Sequence, residues 1–182
     1  MTTRQLIVID TETSGLNLLR HHPIEIAAVN VATRKELYFV PTLPPGVIDQ
    51  ADGDALQINR YFERGVHKHA GTEASWWRLW QMLEHNTLAG SNPAFDSIML
   101  LRGYTNHTGA QPKPSWHHRL ADLAAYAAPY LGLQPYELEG LAHICDRLGV
   151  KNDEQHTALA DARATAECFR ILTKKYGKGT SL

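Results

Sequence analysis

Leu6-Ile7-Val8-Ile9 is apolar at four successive positions and runs straight into Asp10-Thr11-Glu12. Side chains alternate between the two faces of a strand, so a run that is apolar on both faces must be covered on both, as in a central strand between helical layers. The acids then mark the place where that strand reaches the edge of the core, and Asp10 is expected where the strand ends. Two β-rich runs follow, Ile24 to Val31 and Glu36 to Val40, joined by the polar turn Thr33-Arg34-Lys35. This predicts a three-strand meander. Three prolines between Pro41 and Gly46 stop the sheet, and Asp49 to Gly53 is an acidic, turn-rich loop.

Downstream the period changes. Trp76, Leu79, Trp80 and Leu83 fall at helical spacing, Thr87 to Gly90 is a short strand, and Ala94 to Leu101 is again helical. A loop from Gly109 to Pro114 precedes an expected short strand near Trp116. Helical stretches then cover about Leu120 to Tyr130, Glu137 to Leu148 and Thr157 to Lys175. A meander followed by alternating helices and strands makes an α/β domain with a mixed sheet the most economical architecture. No repeat or linker divides the chain, so one domain over residues 1–176 with a short tail, 177–182, is expected.

The net charge of -1 excludes a globally basic protein held to nucleic acid over a broad face, so a polyanion contact has to be local or metal-mediated. Cys145 and Cys168 lack the spacing of a zinc site or a disulfide framework and are expected as small core residues in a reducing cytoplasm. Met1-Thr2-Thr3-Arg4 leads directly into the first strand, and no apolar run has membrane-spanning length. A cytoplasmic protein with no membrane partner is the expectation.

Asp10 and Glu12 are one residue apart on a strand, which turns both carboxylates to the same side. Acids so placed repel each other; a divalent cation relieves this, and hard oxygen ligands select Mg²⁺ or Mn²⁺. A solvated turn would also account for Asp-x-Glu taken alone. Asp96 falls in the first turn of a helix, where it either complements the helix dipole or joins such a site. Asp161 lies with Ala158, Thr165, Cys168 and Leu172 on one helical stripe that faces the core. An acid there requires either a metal or a buried arginine. His156, five residues earlier, is on a different side of any continuous helix, so it is placed in the loop or first turn, where it would take a proton from water.

Asp10-Thr11-Glu12-Thr13-Ser14-Gly15-Leu16, Asn92-Pro93-Ala94-Phe95-Asp96 and His156-Thr157-Ala158-Leu159-Ala160-Asp161 resemble, in order, the three exonuclease motifs of the DEDDh family. That family includes the proofreading epsilon subunit of bacterial DNA polymerase III, RNase T and oligoribonuclease. The resemblance implies an RNase H-like fold, a central five-stranded mixed sheet flanked by helices with the first strand in the middle. It implies Asp10, Glu12 and Asp161 as direct metal ligands, Asp96 as support for a second metal, and His156 as general base. The cofactor would be two Mg²⁺ per site, with Mn²⁺ able to substitute.

The implied reaction is 3′-to-5′ release of nucleoside 5′-monophosphates from single-stranded nucleic acid, DNA favoured over RNA, in replication proofreading or repair and in weak association with a DNA polymerase. Substrate contacts implied by the family motifs are Thr11, Thr13 at the 3′ end, Leu16 wedged against the last bases, and Asn92 and Phe95 beside the scissile phosphate and terminal base. Leu16 in the core is the alternative. Ser91 departs from the family pattern, which often has histidine there. No polymerase-tethering segment is expected after the last helix. The rival readings are an exoribonuclease on RNA 3′ ends or short oligoribonucleotides, and a silent nucleic-acid-binding protein. Arg60, Arg64 and Lys68 recur every four residues, as a solvated helix face or as a basic stripe leading the strand inward. Trp76, Trp77 and Trp80 read mostly as core by their spacing, and Glu25 and Asp122 as hydrogen-bonded structural acids outside the site.

Overall fold

The computed structural model describes residues 4–68 and 73–177; the start of the chain, the segment 69–72 and most of the tail expected at 177–182 lie outside the described residues. Five strands form one mixed sheet: β1 (Leu6–Thr13), β2 (Pro23–Asn30), β3 (Glu36–Phe39), β4 (Thr87–Gly90) and β5 (Ala121–Asp122). Their order is β3-β2-β1-β4-β5, with β1 central. The meander is antiparallel, whereas β4 runs parallel to β1 and to β5. The helices are α1 (Gly53–Ile58), α2 (Glu73–Leu83), α3 (Pro93–Thr108), α4 (Leu123–Leu131), α5 (Leu141–Leu148) and α6 (Ala158–Gly177).

The apolar run of β1 divides by parity. Ile7 and Ile9 pack with Trp76, Leu79, Leu83 and Leu100 of α2 and α3, while Val8 packs with Ala158, Ala162, Cys168 and Phe169 of α6. All three β1 residues are fully buried, which explains the absence of polar alternation. Small residues let α6 lie close to the sheet: Ala158 and Ala162 face Ala27 and Val29 of β2 within the same core. Fully burying side chains of this kind contributes about 1.5–3 kcal/mol for each large aliphatic.

β1 outlasts its expected end. The ladder to β2 continues through Asp10↔Ala27, Thr11↔Ile26 and Glu12↔Glu25 to Thr13, with a register irregularity between Glu12 and Thr13. On its other side β1 pairs with β4 only as far as Val8↔Ala89. Beyond Val8 the chain of β4 leaves through Gly90 into α3, so the two parallel strands part at their carboxyl ends, where open α/β sheets place ligands. Gly90 permits the close approach, since a Cβ there would stand 3.0 Å from the Ile9 carbonyl oxygen.

Other expectations move. The fifth strand is at Ala121–Asp122 rather than near Trp116, which is buried against Trp80 instead. The next two helices accordingly begin later, α4 at Leu123, capped by the Asp122 carboxylate on the Ala125 N–H, and α5 at Leu141. Trp76 is core and Trp80 half-buried, but Trp77 is 61% exposed, because the tryptophan adjacent to Trp76 turns to the opposite face of α2. Cys145 and Cys168 are buried free thiols whose sulfurs meet at 3.7 Å between α5 and α6, a proximity their separation in sequence does not show. No helix of the described residues is long and apolar enough to cross a membrane.

Candidate active site

Parity also sorts the acids. Asp10 and Glu12 share the face of Val8, toward α6, and Asp161 in the first turn of α6 meets them there. One carboxylate oxygen from each of Asp10, Glu12 and Asp161 lies within 4.8 Å of the others. Thr11 points the opposite way, toward α3, where its backbone N–H and its hydroxyl both donate to Asp96 Oδ1, at 3.0 and 2.8 Å. Asp96 is 6% exposed and stands outside the three-acid group, on the α3 side of β1. Pro93 at the first position of α3 sets the entry of that helix, and Asn92 before it is exposed with no side-chain capping bond.

The electrostatics are those of a site short of positive charge. Burial, then the neighbouring Asp161 and Glu25, pushes the Glu12 carboxyl up to about 8. Burial pushes Asp96 up to about 7 against the two hydrogen bonds from Thr11. Asp10 is raised by burial and by Asp96, Asp161 and Glu12, and Asp161 by burial. Among the described residues no lysine or arginine forms an ion pair with any of the four. The buried-arginine reading of Asp161 therefore fails. The donor set, three convergent carboxylates of hard oxygen and no thiolate, fits a divalent cation of the Mg²⁺ or Mn²⁺ class.

Asp161 is oriented by two other groups. Asn152 Nδ2 donates to its Oδ1, and the His156 backbone N–H donates to its Oδ2 at 3.0 Å. His156 lies in the loop ahead of α6, exposed, with φ 62°, a left-handed conformation uncommon for a residue with a Cβ. Thr157 follows it and accepts the Ala160 N–H on its hydroxyl at 3.4 Å, starting the helix that carries Asp161. The imidazole is thus placed at the rim by the same carboxylate it neighbours.

The turn after the first acids is tightly built. Thr13 is 7% exposed, and its hydroxyl donates to the Gly15 carbonyl at 2.9 Å. Gly15 has φ 146°, and a Cβ would fall 2.1 Å from the His21 ring, so only glycine fits. Arg102 of α3 holds the following loop through the Leu18 and Arg20 carbonyls. Leu16 stands out from this braced turn at 78% exposure, which removes the core alternative for it. Phe95 is half-buried.

The basic stripe does not form. Arg60 has a left-handed backbone, φ 51°, so no helix joins Arg60, Arg64 and Lys68. Arg64 turns inward onto Glu25, which is fully buried and also accepts from the Tyr38 hydroxyl at 2.7 Å. Glu25 is a structural, hydrogen-bonded acid as expected, yet it sits opposite Glu12 in the ladder. The residues that sequence reasoning missed are Arg64 as its partner and Asn152 beside Asp161; no motif or spacing marks either.

The model of the RNase T exonuclease family matches residues 7–169. The chain belongs to that family. The match covers all three motifs. No curated protein matches the chain. Among solved structures, a zinc-bound complex of E. coli exonuclease I with single-stranded DNA is 17% identical with a TM-score of 0.77, covering 97% of this chain and 42% of that one. E. coli exonuclease I with a dT13 oligonucleotide is 18% identical with a TM-score of 0.74, again over 97% and 42%. A moderately thermophilic exonuclease I from Methylocaldum szegediense is 19% identical with a TM-score of 0.74 over the same shares. The chain spans under half the length of these proteins, and the likeness establishes the shared fold. A divalent-metal requirement follows from the family and the acid cluster together.

Proposed function

We propose that the protein is a Mg²⁺-dependent 3′-to-5′ exonuclease that releases nucleoside 5′-monophosphates from the 3′ ends of single-stranded DNA. The observation that carries this is the convergence of Asp10, Glu12 and Asp161 within 4.8 Å, with no ion-pair partner among the described residues, in a chain of the exonuclease family. Asp10, Glu12 and Asp161 would hold cations directly, and Asp96 would complete the set from the α3 side of β1. Two bound Mg²⁺, or Mn²⁺ in their place, would supply the positive charge that lets a phosphodiester enter and that stabilises the attacking and leaving oxygens.

The side chains divide the remaining work. His156 at the rim would accept the proton of the attacking water, a role that imidazole can fill near neutral pH. Leu16 would press on the terminal bases from its braced turn. Thr11 and Thr13 would act through the geometry they impose, since their hydroxyls are spent on Asp96 and on the Gly15 carbonyl. Asn92 and Phe95 would flank the scissile phosphate and the terminal base from the start of α3. The oligonucleotide complexes of the exonuclease I structures support DNA as the substrate. Trimming of 3′ ends in replication or repair, with loose attachment to a polymerase, in the cytoplasm, belongs to the same proposal.

The test is a Mg²⁺ assay on 3′-labelled and 5′-labelled single-stranded DNA and RNA. Wild type should release mononucleotides first from the 3′ label of DNA, and chelation or Asp10→Ala should abolish release. An RNA preference would replace DNA by RNA in the proposal. Wild type indistinguishable from Asp10→Ala on every substrate would leave a silent binding protein.

A further inference from the structure

Glu25 adds a carboxylate to the α6 face of β1, beside Asp10, Glu12 and Asp161, while Asp96 lies on the α3 side. Glu25 is fully buried, and the strand register sets it directly across from Glu12. An unpaired negative charge there would add to the mutual repulsion of the acids and pull harder on a cation. It is not left alone: Arg64 meets it with two nitrogens, Nη1 to Oε1 at 2.8 Å and Nη2 to Oε2 at 2.7 Å, the paired geometry that guanidinium alone offers. The same Nη1 donates to the Asn59 carbonyl at 2.9 Å and, sharing its two hydrogens among three acceptors, makes a longer contact of 3.4 Å with the His156 carbonyl. One guanidinium therefore ties β2, the turn after α1 and the loop of the general base into a single unit.

We infer that Arg64 is a positioning residue of the nuclease site, neutralising Glu25 beside the metal-binding acids and anchoring the His156 loop through its carbonyl. Its side chain is only 21% exposed, and both terminal nitrogens already donate to protein acceptors. The left-handed backbone of His156 is held from both ends, by Asp161 on its N–H and by Arg64 on its C=O. Neither the strand motif nor the histidine motif contains Arg64; the crossing between β3 and β4 brings it in. The inference rests on the exonuclease reading for its kinetic arm and on the acid cluster alone for its metal arm.

The experiment compares wild type with Arg64→Met, Arg64→Lys and the double variant Glu25→Gln/Arg64→Met. Mn²⁺ binding is measured by calorimetry without nucleic acid, and kcat and KM are measured on single-stranded DNA over a range of salt. Arg64→Met, which leaves the Glu25 charge unneutralised beside the acids, should tighten Mn²⁺ binding several-fold through the added negative charge, and should lower kcat roughly tenfold because the His156 loop loses its anchor, with KM unchanged. Arg64→Lys should restore wild-type Mn²⁺ binding but not kcat, because an ammonium keeps the charge and loses the fork. The double variant leaves no charge buried alone and folds even if Arg64→Met does not; it should bind Mn²⁺ as wild type does and still show the lowered kcat.

Unchanged Mn²⁺ binding in folded Arg64→Met, or unchanged kcat in the double variant, would overturn the inference. So would a loss confined to KM with a shallower salt dependence, which would make Arg64 a phosphate contact. If wild type itself releases no nucleotide, the exonuclease reading fails, while the metal arm still decides the charge role of Arg64.

Discussion

Replacing Glu12 by glutamine should stabilise the metal-free protein while destroying its activity. In the folded chain the Glu12 carboxyl is raised from 4.5 to about 8 by burial first and then by Asp161 and Glu25. Such a displacement corresponds at full strength to about 5 kcal/mol against the charged form. Solvent access to this half-buried group reduces it to about 2 kcal/mol. The sign is that of a folded-state value above the unfolded one. The folded protein holds the proton more tightly, so the associated stability is complete below pH 4.5 and is lost as pH rises toward 8.

Glutamine stays neutral throughout, so its advantage should be absent near pH 4.5 and full above pH 8. A gain of about 2 kcal/mol in a chain of this size raises the Tm by about 4–8 °C. Scanning calorimetry of wild type and Glu12→Gln in chelator, at pH 5 and at pH 8.5, measures this directly. Adding Mg²⁺ at pH 8.5 should then raise the Tm of wild type and leave the variant nearly unmoved, because a ligand stabilises only the state that binds it. A Glu12→Gln protein that melts lower than wild type in chelator at pH 8.5 would refute the picture of mutually repelling acids awaiting a cation.

His156→Ala should lower kcat by about 10²–10⁴-fold, the range for loss of a general base, with Mn²⁺ binding measured by calorimetry unchanged because the backbone N–H to Asp161 remains. Leu16→Ala should leave the Tm within a degree, its side chain being in solvent, and raise KM for single-stranded DNA several-fold, about 1 kcal/mol of lost apolar contact, in steady-state assays. Gly103→Ala should destabilise by about 1–3 kcal/mol in urea unfolding, because its Cβ would fall 2.7 Å from the Trp76 ring and 2.8 Å from Pro23 on a packed face.

Leu6 to Ile9, the Asp10/Glu12 pair and the stripe of Asp161 on α6 were legible because each is a local pattern. Period two places two carboxylates together, and a period of 3.6 places an acid among alanines and leucines whatever the rest of the chain does. The ordered motifs carried the fold class and the family for the same reason. Strand ends were less legible: Asp10 is expected where the strand ends, and only the ladder to β2 shows that β1 continues through Glu12 to Thr13. β5 is two residues long and held by a parallel neighbour, so nothing within it announces a strand.

What the sequence by itself determined is the clustered acids Asp10, Glu12 and Asp161 and the central strand that bears the first of them, because these rest on neighbours along the chain. The tertiary structure alone decided what surrounds those groups. Arg64 beside Glu25, Asn152 beside Asp161, Asp96 reached through Thr11, and the two sulfurs of Cys145 and Cys168 are juxtapositions across 9 to 85 residues of chain. Hydrogen bonds and charge act over a few ångströms of space, and only the path of the folded backbone sets which residues come that close.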